Sequence, residues 1–296
     1  MTRLGLGGAP LGGLFTSVPD DAARKTVEAA YESGVHYFDT APFYGHGMSE
    51  RRLGSVLSQY PRDDFVLSTK VGRILVPAEK DAIADHQYRD TLALNPVFDF
   101  SADGIRRSLE SSLERLKLDR IDVALLHDPD EHYEQALGEA FPALARMREE
   151  GLVQAIGAGM NQWEMLDAFA RNADFDCFLL AGRYTLLDRS AGDVLLPACA
   201  ERGISIILGG PYNSGILAGG GHYNYETAPA EMMEKTKKLD SICAKHGVPL
   251  KAAALQFPLR HPAVASVIAG ARAPSEVEEN VRMMAHTIPA AFWEEI

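Results

Sequence analysis

Short apolar runs alternate with longer amphipathic stretches eight times along this chain, a rhythm that restricts it to folds in which strands and helices take turns. Residues 3–8 (RLGLGG) open as a strand. Asp20 and Asp21 then offer capping chemistry to DDAARKTVEAAYESG, whose Ala23, Val27, Ala30 and Tyr31 recur at helical spacing and whose Gly34 closes it. Strands follow at 35–39 (VHYFD) and 65–70 (FVLSTK), with a helix over about 49–59 between them. From 71 to 100 the periodicity is lost among prolines and mixed charges. That stretch reads as a long insertion after the third strand, a candidate lid or substrate loop. The rhythm resumes in SADGIRRSLESSLERLK, where Ile105, Leu109, Leu113 and Leu116 share a helical face, and in a fourth strand at 121–126 that ends at His127. EHYEQALGEAFPALARMREEG, NQWEMLDAFARN and residues 195–202 are the next helices, leading to VQAIGAG, CFLLA and ISIIL as strands. Helices at 231–246 and 250–259, the eighth strand VASVIAG at 264–270 and a helix in PSEVEENVRMM complete the pattern.

Both a doubly wound open sheet and a closed barrel satisfy such alternation. Two features favour an α/β, eight-stranded parallel (β/α)8 TIM barrel: the strand count, and the opening Gly5, Gly7 and Gly8, which lack the GxGxxG spacing that leads into a helix in dinucleotide-binding open sheets. No linker or change of composition divides residues 1–296, which read as a single domain.

Charge and cysteine usage narrow the function classes. With 29 basic residues against 41 acidic ones the formal charge is −12, which argues against nucleic acid and against an anionic membrane as partners. No run reaches the roughly 20 apolar residues of a membrane span. Residues 4–15 are apolar after Arg3, but five glycines and Pro10 oppose a helical signal core. Cys177, Cys199 and Cys243 stand far apart and read as buried thiols of a cytoplasmic protein. His127, Asp128 and His132 lie in one loop, HDPDEH, without a complementary ligand cluster elsewhere, so no metal is expected.

In a parallel barrel the chemistry gathers at the C-terminal ends of the strands. The second strand ends in Asp39, the third in Lys70 and the fourth in His127, and Tyr44 follows Asp39 by five residues. Taken singly, Asp39 is a turn former, Lys70 a surface lysine, Tyr44 a rim aromatic and His127 a satisfied core histidine. Together they make a different unit: a tyrosine whose phenolate an ammonium stabilises, a carboxylate that holds the ammonium, and a histidine that orients a carbonyl oxygen.

HYFDTAPFYGHGMSERRLG, from His36 to Gly54, resembles the signature of the aldo-keto reductase family, and Lys70 after VLST and His127 after VALL stand where that family keeps its lysine and histidine. The resemblance covers nearly the whole chain. It implies a barrel enzyme binding an extended nicotinamide cofactor, with Tyr44 as proton donor or acceptor assisted by Asp39, Lys70 and His127. It also implies cofactor contacts at Gly8, Ala9 and Asp39 near the start of the barrel. Where many members have Ser-Asn to hold the carboxamide, this chain reads GAGMN, making Asn161 the substitute. A common glutamine is replaced by Ala181, and the tyrosine that often stacks on nicotinamide is replaced by Gly209, with Tyr212 as its nearest compensation. Pro211, Tyr212, Asn213, Ser214, Gly215 and Leu217 resemble the loop that covers the pyrophosphate. Glu279 and Asn280 match the adenine-side residues. Gly270 and Glu276 stand where NADPH-preferring members carry basic side chains, leaving Arg272 as the nearby cation, so NAD is expected over NADP.

The variants GGAPLGG, HDPD, GAGMNQWE and GGPYNSGIL resemble a branch of the family that oxidises aldoses, such as L-fucose and other threo-configured sugars, at C1 to the lactone, or oxidises pyridoxal. A small-molecule substrate would then meet Tyr44, His127 and Asp128, with Asp128 accepting hydrogen bonds from sugar hydroxyls and His86, Gln87 and Tyr88 adding contacts from the insertion. Asp128 is equally a turn former before Pro129. An NADPH-dependent aldehyde or ketone reductase and, from a different class, a cofactor-binding regulatory subunit are the alternatives.

Overall fold

The computed structural model describes residues 1–79 and 87–296. Its strands are β1 (Leu4–Gly7), β2 (Tyr37–Asp39), β3 (Val66–Val71), β4 (Arg73–Pro77), β5 (Leu94–Phe98), β6 (Val123–His127), β7 (Ala155–Met160), β8 (Cys177–Ala181), β9 (Ser205–Gly209), β10 (His222–Tyr223), β11 (Glu226–Thr227) and β12 (Val264–Gly270). Eight of them, in the order β1, β12, β9, β8, β7, β6, β3, β2, close into a parallel barrel. The eight-stranded α/β barrel expected from the alternation is the fold of this chain, with helices around it.

Side-chain alternation along the strands separates two cores. In β1, Leu4 and Leu6 join the layer beneath the helices. Gly5, between them, leaves the space that Tyr37 fills: a Cβ there would approach the Tyr37 ring to 2.7 Å. Tyr37, Val123, Leu125, Cys177, Leu179, Ile207 and Ile268 fill the barrel interior. In β3, Ser68 bonds inward to Tyr37 (2.9 Å), whereas Thr69 donates to Glu50 of the Met48–Leu57 helix (2.7 Å). Glu50 is fully buried and also accepts from Arg115 Nε at 2.6 Å, so it clamps this helix to the Ala102–Leu116 helix. Gly54 permits the same contact: a Cβ there would meet the Leu116 carbonyl oxygen at 2.3 Å. Gly54→Ala is therefore expected to lower stability by about 1–3 kcal/mol despite alanine's higher helix propensity. Urea midpoints of the two proteins would show it, and an unchanged midpoint would mean that the helices separate freely.

Two local readings need correction, and one element is an addition. The stretch 71–100 is not without secondary structure: β4 and β5 pair antiparallel from Arg73 opposite Phe98 to Pro77 opposite Leu94. Each is a short alternating run (RILVP, LNPVF) whose pairing only becomes apparent when both are seen together. The glycine-rich region after 215 contains a second hairpin, β10–β11, whose turn residues Asn224 (φ 49°) and Tyr225 (φ 68°) both adopt the left-handed conformation that tight hairpins require. The helix expected in EHYEQALGEAFPALARMREEG is interrupted by a π turn at Ala136–Ala140 before Phe141–Glu149, at the point where Pro142 cannot donate a backbone hydrogen bond.

Candidate active site

Barrel register brings the chemistry to one mouth. Asp39 pairs with Ser68 in the β2–β3 ladder, Lys70 with Leu125 in β3–β6 and His127 with Gly159 in β6–β7, so adjacent strands carry Asp39 and His127 as their last residues and Lys70 one before the last. Lys70 Nζ donates to Asp39 Oδ2 at 2.8 Å and to the Thr40 carbonyl at 3.0 Å, while Ser68 Oγ donates to Asp39 Oδ1 at 2.7 Å. Both charged groups are almost completely buried. A pair taken this far out of water depends on its mutual attraction and on the hydrogen bonds around it. Lys70 Nζ also lies 4.7 Å from the centroid of the Tyr44 ring.

Tyr44 stands edge-on to His127, centroids 5.8 Å apart, with Tyr88 at 6.1 Å. Burial and then the Asp39 charge push its phenol well above the ordinary tyrosine range, with Tyr225 and Asp128 adding to the rise and Arg73 opposing it. His127 is driven the other way. Burial, followed by the Arg73 and Lys70 charges, holds its pKa well below the usual histidine value, which makes it neutral at pH 7. Its Nδ1 has no hydrogen-bond partner among the described residues, and its Nε2 lies 3.6 Å from Asp128 Oδ2.

Beside this cluster a cavity of about 540 Å³ runs from Asp39 and Tyr44 to Glu276, Glu279 and Asn280. Gly8, Ala9, Asn161, Pro211 to Gly215, Gly270 and Arg272 line it as the sequence suggested. Leu217 does not. It is buried with Leu186, Ile216 and Phe257, because an apolar side chain on this loop gains more from the core than from the groove. His127 and Asp128 are not part of the lining either; His127 packs against Phe43 and Tyr44, and Asp128 is bound to Arg73. Tyr212, within that lining, turns its hydroxyl toward Asn280 and donates to Oδ1 at 2.7 Å. Tyr225 stands at the catalytic end: its phenol engages the Asn161 side chain, whose Nδ2 donates to the Ala181 carbonyl at 2.9 Å.

The insertion contributes Tyr88, whose ring packs on Phe43 and Tyr44, but the Gln87 backbone carbonyl accepts from Phe15 N at 2.8 Å, and His86 lies outside the described residues. The sequence reading did not name several of the lining residues. Phe15 and His222 stack across the groove at 5.6 Å, Tyr225 reaches in from its hairpin turn, and Lys251 pairs with Glu279 at 2.7 Å. Alternating aromatics around Asn224 in HYNYET were a usable signal for the hairpin. Lys251 carries no local signal, because its partner is 28 residues away on another helix. Arg272 is thus not alone: each of the two groove cations has its own carboxylate, Glu276 at 3.5 Å and Glu279 at 2.7 Å.

The Aldo/keto reductase family pattern matches residues 3–296. This chain belongs to that family. It is 44% identical over 303 residues to a D-threo-aldose 1-dehydrogenase from Pseudomonas sp, covering 99% of this chain and 92% of that protein. It is 41% identical over 316 residues to a pyridoxal 4-dehydrogenase from Microbacterium luteolum, with the same coverage of 99% and 92%. Among solved structures it resembles the holo form of an aldo-keto reductase from Bacillus halodurans, with TM-score 0.76, 26% identity, and 98% and 88% of the two chains covered. This aldo/keto reductase is an NAD(P)-dependent oxidoreductase, and its homologues act on small molecules. Among the described residues no helix is long and apolar enough to cross a membrane, and no group of three or more His, Cys, Asp or Glu is placed to hold a metal ion.

The groove fits a dinucleotide. Asn213 (φ 45°), Ser214 (φ 62°) and Gly215 (φ 107°) bend the main chain into a left-handed concavity on its wall, the kind of backbone cradle that receives phosphate oxygens. Asn161 and Asn280 both line it.

Proposed function

We propose that this aldo/keto reductase oxidises an aldose, L-fucose or another threo-configured sugar, at C1 to its lactone, using NAD. The observation that carries the chemistry is the buried Asp39–Lys70 pair set against Tyr44 where the groove meets the barrel mouth. When bound, the nicotinamide supplies the hydride acceptor, with Asn161 holding the carboxamide end and Glu279 and Asn280 the adenine end. Tyr44 Oη takes the proton of the anomeric hydroxyl as the C1–H bond is broken and the lactone carbonyl forms. Lys70, fixed by Asp39, stabilises the phenolate that must exist beforehand. Neutral His127 orients the C1 oxygen beside Tyr44. The sugar, rather than a simple aldehyde, is favoured by the polar Asp128 next to His127 and by the likeness to the aldose dehydrogenase.

Pyridoxal is the second reading. It is favoured by the aromatic surroundings of Tyr44, namely Phe43 and Tyr88, which suit a flat ring, and by the likeness to the pyridoxal dehydrogenase. Reduced-nicotinamide absorbance of the purified protein with NAD or NADP and L-fucose, D-arabinose, L-galactose, D-glucose or pyridoxal decides between them. Rapid NADH formation with a threo-configured sugar is expected. Turnover of pyridoxal alone would replace the substrate, consumption of NADPH by simple aldehydes alone would make it a reductase, and nucleotide binding without any turnover would make it a regulatory subunit.

NAD preference rests on charge at the adenine end. Arg272 and Lys251, the cations in the groove lining, each face a carboxylate, so among the described lining residues a 2′-phosphate would meet two carboxylates and no arginine or lysine without one. Replacing both carboxylates, Glu276→Gln with Glu279→Gln, is expected to raise kcat/KM with NADP relative to NAD by about tenfold. Initial rates with each nucleotide would show it, and an unmoved ratio would remove these residues from cofactor choice.

A further inference from the structure

Arg73 is the side chain in this region that the chemistry above does not use. It opens β4, three residues after Lys70, and its guanidinium is sandwiched between Phe43 and Phe98, 4.4 and 4.5 Å from their ring centroids. Nη2 donates to Asp128 Oδ2 at 2.5 Å, and the arginine side chain is only 13% exposed. A planar cation between two rings has few other places to go, so this hold on the carboxylate is fixed in direction.

Asp128 is also constrained from its own backbone. It has a positive φ (44°), uncommon for a residue with a side chain, and its N–H donates to the Gly159 carbonyl at 3.1 Å. The side chain remains about a third exposed, with Oδ2 facing both Arg73 and His127 Nε2. Among the described residues Oδ1 accepts no hydrogen bond. The result is a carboxylate with one oxygen anchored and the other free, immediately beside the histidine that adjoins Tyr44.

We infer that Arg73 and Asp128 form a polyol-selecting pair: Asp128 Oδ1 accepts from a hydroxyl adjacent to the reacting C1, and Arg73 is the positioning residue that keeps this oxygen presented. This rests on the sugar reading above. A substrate with a neighbouring hydroxyl completes the site, whereas one without it leaves a partly buried carboxylate oxygen unpaired, and that asymmetry is what discriminates between substrates. Burial raises the Asp128 carboxyl and the Arg73 charge opposes that rise.

The pair of substrates that isolates the effect is L-fucose and 2-hydroxytetrahydropyran, a cyclic hemiacetal with the same reacting carbon and no further hydroxyl. With NAD as cofactor, Arg73→Met and Asp128→Asn are each expected to lower kcat/KM for L-fucose by about 10²-fold, chiefly through KM. The loss on 2-hydroxytetrahydropyran, which shares whatever the substitutions do to Tyr44 and His127, should be at least about tenfold smaller than the loss on L-fucose, and Arg73→Lys, which keeps the charge, should restore part of the sugar activity. The NAD dissociation constant, read by quenching of protein fluorescence, should stay the same in all three variants. Equal losses on both substrates would overturn the inference and leave the sugar reading standing. A wild-type protein that oxidises 2-hydroxytetrahydropyran or pyridoxal but none of the aldoses would overturn the sugar reading itself, and the pair's role with it.

Discussion

Tyr44→Phe should lower turnover by about 10³-fold or more in both directions while leaving nucleotide affinity and thermal stability close to those of the unaltered protein. The ring keeps its contacts with His127, Tyr88 and the Lys70 ammonium, so what is lost is the one oxygen able to exchange a proton with substrate. The direction of the pH dependence follows from the same site. Oxidation needs Tyr44 deprotonated before it can accept, and its pKa is pushed well above the ordinary phenol value, first by burial and then by Asp39. The active fraction below that pKa rises about tenfold per pH unit, so kcat/KM for oxidation should climb steadily from neutral into alkaline pH. Reduction needs the neutral phenol, already the dominant form at pH 7, and should be flat over the same interval before falling. His127, held neutral, should add no limb near its usual pKa. Stopped-flow or steady-state profiles in both directions measure this; parallel profiles, or substantial turnover by the Phe variant, would move the proton exchange to another group.

How much of this was legible beforehand depends on whether a feature is local. The eight barrel strands are short apolar runs bounded by turn chemistry, and each declares itself within a few residues; VASVIAG at Val264–Gly270 is one example. Asp39, Lys70 and His127 were legible because a parallel barrel converts ends of strands into one neighbourhood, so their placement follows once the strands are counted. What the local pattern could not reveal is pairing between distant segments. RILVP and LNPVF are ambiguous alone and become a hairpin only together. Arg73 reads as one basic residue in a charged insertion until Phe43, Phe98 and Asp128, three separate segments, converge on it. Arg52, in the same signature run as Tyr44, proves to be structural: it bonds the Leu11 and Val18 carbonyls together with Asp20 and Asp90, fixing the loop after β1 against the end of the insertion. Leu217 was misplaced for a related reason. Loop position indicates which backbone nears the groove, but the partner available to the side chain, here an apolar core, decides where it turns.

The buried ion pair gives the second large effect, and here activity and stability separate. Lys70→Met would leave the Asp39 carboxylate, 3% exposed, with the Ser68 hydroxyl as its remaining partner. Breaking a pair so thoroughly removed from water costs about 3–5 kcal/mol, because one charge stays behind uncompensated. Asp39→Asn removes the opposite charge and strands the ammonium on the Thr40 carbonyl, with a loss of similar order. Replacing both at once removes the charge problem altogether, and such double replacements are often close to neutral or even stabilising. The double variant, Asp39→Asn with Lys70→Met, is therefore expected to be more stable than either single variant, with a coupling of about 2 kcal/mol or more in a guanidinium denaturation cycle. All three should lose about 10²-fold or more in turnover, since each deprives Tyr44 of a charged partner held in place. Stability that returns without activity would show that Asp39 and Lys70 are retained for proton transfer at Tyr44 and not for the barrel. Additive stability losses would instead mean that water reaches the pair and screens it, which would also weaken the case for Lys70 as the group that stabilises the phenolate.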